Sequence, residues 1–479
     1  MAPIPSLRKY AVLVAAIALP IANACGQAAP ATPAPTPVTP NSFADVTAQL
    51  DPGGEFYLYL STAQWLGKLS DSVNSLHDIV LSSGTGFTPE RVAKADKAAA
   101  VARDMIQKSG LQDISGIGAS SFNYTPGLYR NKIFVHHYPA EGSGLIWSLY
   151  GRSPHALDAL DMLPVDTSAA GFGDFDLAHL INFLISEANQ SGIPEFKQAV
   201  DQMQTQFFGV SGLKLDDVLA SLSGSMGTVV TQDASDIISI PINQQVQTMP
   251  APHLAILIAV KNDLIFNQVD KMITGNPGVI KTEEPGLRMR TMPVPFIMPT
   301  LNLRPSVAQW NGFLVIATDD AIIRKIIAAK KDGHGIKETP EYARLSAGLP
   351  QQGNSFAVMT QLFTDTLQKF QSGLTANQPG TPPAQAAQLQ KLIHQYQHTG
   401  PMMSVGAVLP TGWLSVSQGS QGSSQLLAPL IIAPAAIAAG VVMPMMMHHT
   451  QPPPAFPPPT SSGPGATNPY LSPNPGTSP

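Results

Sequence analysis

His394 and His398 stand four residues apart on a stretch that reads as a helix, so both rings project from one face at metal-ligand spacing. The residues between them are Gln395, Tyr396 and Gln397, so the glutamate base of a zinc-hydrolase helix is missing. Two histidines on a polar helix also make an ordinary solvated face. His136 and His137 are adjacent in an expected strand and point to opposite faces, so they cannot share one ion alone. His448 and His449 follow Met445–Met447, a soft donor set of the kind copper accepts, but they also mark the end of an apolar run.

A nucleophile is harder to find. Gly209-Val210-Ser211-Gly212 and Ser223-Gly224-Ser225-Met226-Gly227 approach the serine-elbow pattern with the wrong spacing, and both read as turns between elements. Gly116-Ile117-Gly118 follows a helix and precedes a strand, the reverse of a dinucleotide-binding turn. The pairs Asp216-Asp217 and Asp319-Asp320 stand at helix starts, where capping accounts for them. No residue is assigned a catalytic role, no cofactor is implied, and the balance leans away from an enzyme.

The elements that would position any such group follow one logic, clearest in Gly312–Lys331. Phe313–Ala317 is a short apolar run rich in β-branched residues and reads as a buried strand. Thr318 is expected to cap the following helix, whose Ile322, Ile323, Ile326 and Ile327 form one apolar stripe, and Gly333 can end it. Looser strand–helix units recur at 55–81, 172–188, 254–273 and 356–370. Thr88-Pro89-Glu90 and Thr339-Pro340-Glu341 open capped helices. Strands are expected at 116–123, 132–138, 144–150 and 227–231, and a hairpin at 405–417. Short turns between several strands require antiparallel neighbours. The expectation is an α+β fold of mixed, largely antiparallel sheets with helices on one face. It divides into two similar halves, 43–235 and 253–418, joined by a polar connecting segment at 236–252.

Both ends of the chain differ from this body. Arg8 and Lys9 precede an apolar run to Leu19, and Ala22-Asn23-Ala24 completes the pattern of a signal peptide over residues 1–24. Cys25, the only cysteine, follows immediately, which excludes an intrachain disulfide and a thiolate metal cluster. The junction resembles a bacterial lipobox, although Ala22 stands where leucine is usual, and it implies that Cys25 is acylated. Residues 25–42 form a Pro/Ala/Thr linker suited to a tether. After a flexible lead (419–425), Leu426–Met447 provides 22 uncharged residues, enough to cross about 30 Å of hydrocarbon despite Pro429, Pro434 and Pro444. Residues 448–479 are proline-rich and are expected to be disordered.

Charged residues make up 12% of the chain against a usual ~25%, and the net charge of −5 is spread without long runs, which argues against a nucleic-acid partner. The successive patterns Asp217–Gly224 and Trp310–Asp319, with the early strand–helix, resemble exported bacterial proteins of a domain-of-unknown-function family. The resemblance spans about Phe43 to Ser417; it implies export and carries over no activity or site residues. The expected function is a non-catalytic, membrane-tethered protein of the bacterial cell envelope, its body in the periplasm or otherwise outside the cytoplasm. It would be held by acylated Cys25, by Leu426–Met447, or by both, and would bind a protein partner or an apolar ligand. The alternatives are an envelope hydrolase with a site assembled from distant residues, and a component of a secretion or pilus-like assembly.

Overall fold

The computed structural model describes residues 41–83, 88–242, 245–292, 304–375 and 400–422. The signal peptide, Cys25, the linker up to residue 40, His394, His398, His448, His449, Leu426–Met447 and the proline-rich tail lie outside the described residues. In chain order the first elements are α1 (Phe43–Thr47), β1 (Phe56–Ser61), α2 (Ala63–Leu66), α3 (Leu69–Ser83), α4 (Pro89–Ser109), β2 (Ile114–Thr125) and β3 (Leu128–His137). There follow α5 (Leu145–Ser148), β4 (His155–Ala156), β5 (Thr167–Asp174), α6 (Leu177–Gln190), α7 (Pro194–Ser211), α8 (Leu215–Ser221), β6 (Leu222–Ile242) and β7 (Gln245–Val260). Next come α9 (Leu264–Ile273), β8 (Ile280–Glu284), β9 (Leu287–Thr291), β10 (Ser306–Trp310), β11 (Phe313–Ala317) and α10 (Asp320–Asp332). The chain continues through α11 (Pro340–Ser346), β12 (Gln352–Gly353), β13 (Ser355–Met359), α12 (Gln361–Thr375), β14 (Met402–Leu409) and β15 (Gly412–Gly419).

Local chemistry sets many of these limits. Thr88 accepts a hydrogen bond from the Arg91 amide at the start of α4, Pro89 fills its first turn, and Gly110 ends it at φ 81°. At the head of α10 the cap is Asp319, not Thr318: its carboxylate accepts from the Ile322 amide at 3.0 Å. A carboxylate there also complements the helix dipole. Asn311 (φ 49°) and Gly312 (φ 76°) form a two-residue turn with both central φ angles positive, which suits the twist of the β10–β11 hairpin.

The fold is α+β, and thirteen of its described strands form one sheet in the order β1-β2-β3-β15-β14-β13-β5-β6-β7-β11-β10-β9-β8, every ladder antiparallel, while β4 and β12 pair apart from it. Its middle seam pairs β5 with β13, from Gly173 opposite Ser355 to Ala169 opposite Met359. On each side lies the hairpin that follows the seam strand in sequence, β6–β7 after β5 and β14–β15 after β13. Outside these the chain crosses over: β11–β10 of the later stretch flanks β7, and β3–β2 of the earlier stretch flanks β15. The two stretches therefore share one sheet.

Two local expectations change. Residues 145–148 of the strand expected at 144–150 form the helical turn α5, which buries Trp147 with its indole N–H on the Gly110 carbonyl at 3.1 Å. Residues 236–242 and 245–252 of the segment expected to connect two halves are strand, in β6 and β7, with Ile237 opposite Pro250 and Ile242 opposite Gln245.

Most of the core lies on the face of Leu257, Val315 and Ala317, where α10 inserts Ile322, Ile323 and Ile326, each 1% exposed. Alternation sends Leu314 and Val260 to the other face, where Phe266 of α9 covers them. Replacing Ile323 or Ile326 by alanine should destabilise the fold by about 2–5 kcal/mol through loss of buried methylenes and the cavity left behind. Arg324→Ala, at an exposed pair with Glu284, should change stability by less than about 1 kcal/mol. Lys325→Ala should cost more than Arg324→Ala, because Lys325 ties α10 to Asp166 at 2.5 Å and to Asp233 at 3.4 Å. Urea denaturation of the four variants checks the ranking.

Candidate functional site

Where β5 ends and β13 begins, the seam holds a buried polar node. The Asp174 amide donates to the Asn354 carbonyl at 2.8 Å, and the Asn354 amide donates to the Gly406 carbonyl at 2.7 Å. The Asn354 side chain is 4% exposed and fully used. Its Nδ2 donates to Asp174 Oδ2 (3.0 Å) and to the Ser153 carbonyl (2.9 Å), while its Oδ1 accepts from the Val408 amide (2.8 Å). One amide thus ties β5 and the approach to β13 to β14 and to the loop before β4. Gly151, at φ 88°, closes this loop; a Cβ there would stand 2.5 Å from both Asn354 Nδ2 and Asp174 Oδ2.

His155 completes the node from its exposed side. Its Nε2 donates to Asp174 Oδ2 at 3.0 Å and its Nδ1 donates to the Ala156 carbonyl at 2.9 Å. Both partners only accept, so the arrangement favours the doubly protonated ring. The Ala156 carbonyl first, and Asp174 with it, raise the pKa of His155 above the ordinary histidine value, against the opposing effect of burial.

Next to the node opens a cavity of about 200 Å³, floored by the stacked rings of Phe172 and Phe356, 5.6 Å apart, with Met162 and Phe313. Its rim carries His155, Asp174, Asn354 and Lys330, and Lys330 is held by Asp161 at 3.0 Å. An apolar floor under a few fixed polar groups is the make-up of a small-molecule site, although this one is smaller than the ~300–1,000 Å³ of drug-sized pockets. A second cavity of about 470 Å³ lies at the starts of α6 and α8, among Asp176, His179, Asp216 and Lys261; Asp176 is the α6 cap, accepting from the His179 amide at 2.8 Å.

Two further constellations bear on chemistry. Ser115 Oγ lies 2.6 Å from His136 Nδ1, and His136 Nε2 lies 3.7 Å from Asp45, the residue types of a hydrolytic triad. Ser115 is 2% and His136 0% exposed, and neither lines either cavity. Burial first of all pushes the His136 pKa down. The neighbouring His137 points away from this cluster and packs on Trp147, with ring centroids 4.4 Å apart. In the other constellation His253 donates from Nδ1 to the α10 cap Asp319 at 2.6 Å and from Nε2 to Asp236 at 3.1 Å. The Asp319 hydrogen bond is the main reason its pKa is raised. Burial works against the Asp319 carboxylate, yet His253, the Ile322 amide and Thr318 together hold its pKa below the usual range.

His136 and Asp319 were singled out in the sequence, but none of these pairings was marked by spacing, since Asn354 lies 180 residues from Asp174 and His253 lies 66 from Asp319. Among the described residues no group of three or more His, Cys, Asp or Glu is arranged to hold a metal, and the metal candidates His394 and His398 lie outside them. Ser211 lies at the end of α7, and Ser225, in β6 where its register with β7 breaks, lies on the wall of the first cavity.

Asn354→Ala should destabilise by about 1–3 kcal/mol, because it leaves the Val408 amide and the Ser153 carbonyl without their buried partner; chemical denaturation measures this. The pH dependence follows from His253. A raised histidine pKa gives stability that is complete below about pH 6.5 and is lost as pH rises through the higher folded value. The lowered Asp319 pKa gives stability present above about pH 4 and lost as pH falls through its folded value. Melting temperature should therefore decline from neutral toward alkaline pH in the unaltered protein, and that part of the slope should vanish in His253→Gln. Comparison of the chain with protein-family models, with curated proteins and with solved structures finds no match.

Proposed function

We propose that this protein is a non-catalytic binding module of the bacterial cell envelope, tethered to a membrane and taking a small apolar ligand in the cavity beside the seam. The observation that carries the binding part is the pairing of an aromatic floor, Phe172 and Phe356, with rim groups already engaged by the protein itself. Such a rim orients a ligand without supplying a base or a nucleophile. The tether rests on the A-x-A-C junction at Cys25 and on the uncharged run Leu426–Met447. Among the described residues no helix is long and apolar enough to cross a membrane, so anchoring would fall to these two segments.

The alternative of an envelope hydrolase has one specific observation behind it, the 2.6 Å contact of Ser115 with His136. The two readings separate experimentally. The full-length protein extracted from its own membranes should carry an acylated Cys25, and native mass spectrometry should detect a co-purified apolar ligand. N-phenyl-1-naphthylamine should gain fluorescence on binding, and Ser225→Trp, which fills the cavity wall, should abolish the gain with the fold intact. Cys25→Ser combined with termination after Gln425 should release a folded body from the membrane fraction. Labelling of Ser115 by a fluorophosphonate, lost in Ser115→Ala, would overturn the non-catalytic reading.

A further inference from the structure

The sheet ends in two edges of opposite character. At one end β8 has the sequence IKTEE, and its carboxylates are engaged: Glu283 with Arg290 at 2.5 Å and Glu284 with Arg324 at 3.3 Å. Charge on an edge strand blocks pairing with another chain. At the other end β1 is FYLYLS, with no charge, no proline and no bulge across its pairing with β2 from Phe56 opposite Ser121 to Ser61 opposite Gly116. Tyr57 and Leu60 are 43% and 44% exposed, and the flanking Phe43 and Trp65 are 52% and 43% exposed. Among the described residues β1 therefore has none of the usual protections of an edge.

The direction of its free backbone groups can be read from one hydrogen bond. The Thr62 amide donates to the Ser115 carbonyl at 3.2 Å, one step beyond the pair Ser61 and Gly116. Bonding alternates along an antiparallel ladder, so Phe56, Leu58 and Leu60 bond inward to β2. Tyr57, Tyr59 and Ser61 then turn their N–H and C=O groups outward, and among the described residues β1 has no further strand beside it in the sheet.

We propose that β1 is a self-association edge, on which a second copy of this chain adds its own β1 antiparallel about a two-fold axis normal to the sheet. Charge selects this occupant. Uncharged β1 meets itself without repulsion, whereas head-to-tail pairing of β1 with the β8 of another copy sets an aromatic strand against Lys281, Glu283 and Glu284. The two-fold arrangement also closes, leaving both charged edges outermost, while head-to-tail pairing propagates without end. The chain's own preceding segment is a poor substitute, because prolines at 30, 33, 35, 37 and 40 have no N–H to donate to a ladder. A two-fold axis normal to the sheet places residues of the same face opposite one another. Several registers match the outward groups, and two of them keep the most of β1 paired, five of its six residues: Tyr57 opposite the partner's Tyr59, centred on Leu58, or Tyr59 opposite the partner's Tyr59.

The test uses the full chain in detergent, with single cysteines placed in turn at positions 56 to 61 and oxidised with copper phenanthroline. The unaltered chain, whose only cysteine is Cys25, serves as background. Disulfide-linked dimer should peak at Leu58→Cys or Tyr59→Cys and fall toward both ends, and Thr282→Cys on β8 should stay at background. By sedimentation, Leu60→Lys should raise the dimer dissociation constant about tenfold or more with an unchanged melting temperature. That exposed site keeps the test valid if a cysteine variant fails to fold. An unaltered chain that sediments as a monomer at tens of micromolar, or cross-linking without a maximum at 58 or 59, overturns the proposal.

Discussion

The antiparallel pairing of β5 with β13 is the constraint on which the remaining architecture rests. Its partners, such as Phe172 and Phe356, are far apart in sequence, and no turn brings them together. Closing a loop of this length costs roughly 2 kcal/mol more than closing a tenth of it, since each doubling adds about 0.6 kcal/mol. The return comes from burial around the seam: Phe172, Phe356, Val358 and Ala170 belong to the largest core cluster, together with Ile322, Ile323 and Ile326 of α10. The Asn354 amide secures the same join where β13 begins, with each of its polar atoms bonded to a different strand or loop.

The seam also determines what kind of cavity the protein contains. Aromatic side chains from the two seam strands stack to make the floor, while the polar groups at the strand ends make the rim. The polar groups stabilise the join by bonding to one another and to the surrounding backbone. His155 illustrates this, with both ring nitrogens donating to acceptors. His253 does the same for α10, where it fastens the capping carboxylate of Asp319. In each place a histidine beside an aspartate fastens neighbouring elements, and its hydrogen bonds raise the pKa of the ring.

A sheet of 13 strands must also manage its edges, and the two are managed differently. Charged side chains and arginine partners cover β8, while β1 presents tyrosine and leucine beside outward-facing backbone groups. That asymmetry sets this edge apart from the rest of the surface, where exposed apolar side chains need no special reason.

Much of the local structure was legible in the chain itself. The limits of α4 follow from Thr88-Pro89 and Gly110, and the buried face of α10 from its isoleucine spacing. Asp319 was readable as a helix-start residue, one position off its capping role. The order of strands was not: the hairpin β14–β15 closes the described chain yet sits inside the sheet between β3 and β13. Buried apolar strands carry interchangeable patterns, so periodicity announces a strand without naming its neighbour. The same holds for His155, Asp174 and Asn354, and for Ser115 with His136. Each is an ordinary polar residue locally, and its partner is selected by long-range packing. Capping, turn and periodicity signals act within a few residues and were therefore written in the sequence; hydrogen-bond partners across 21 to 180 residues came into being only when the sheet closed.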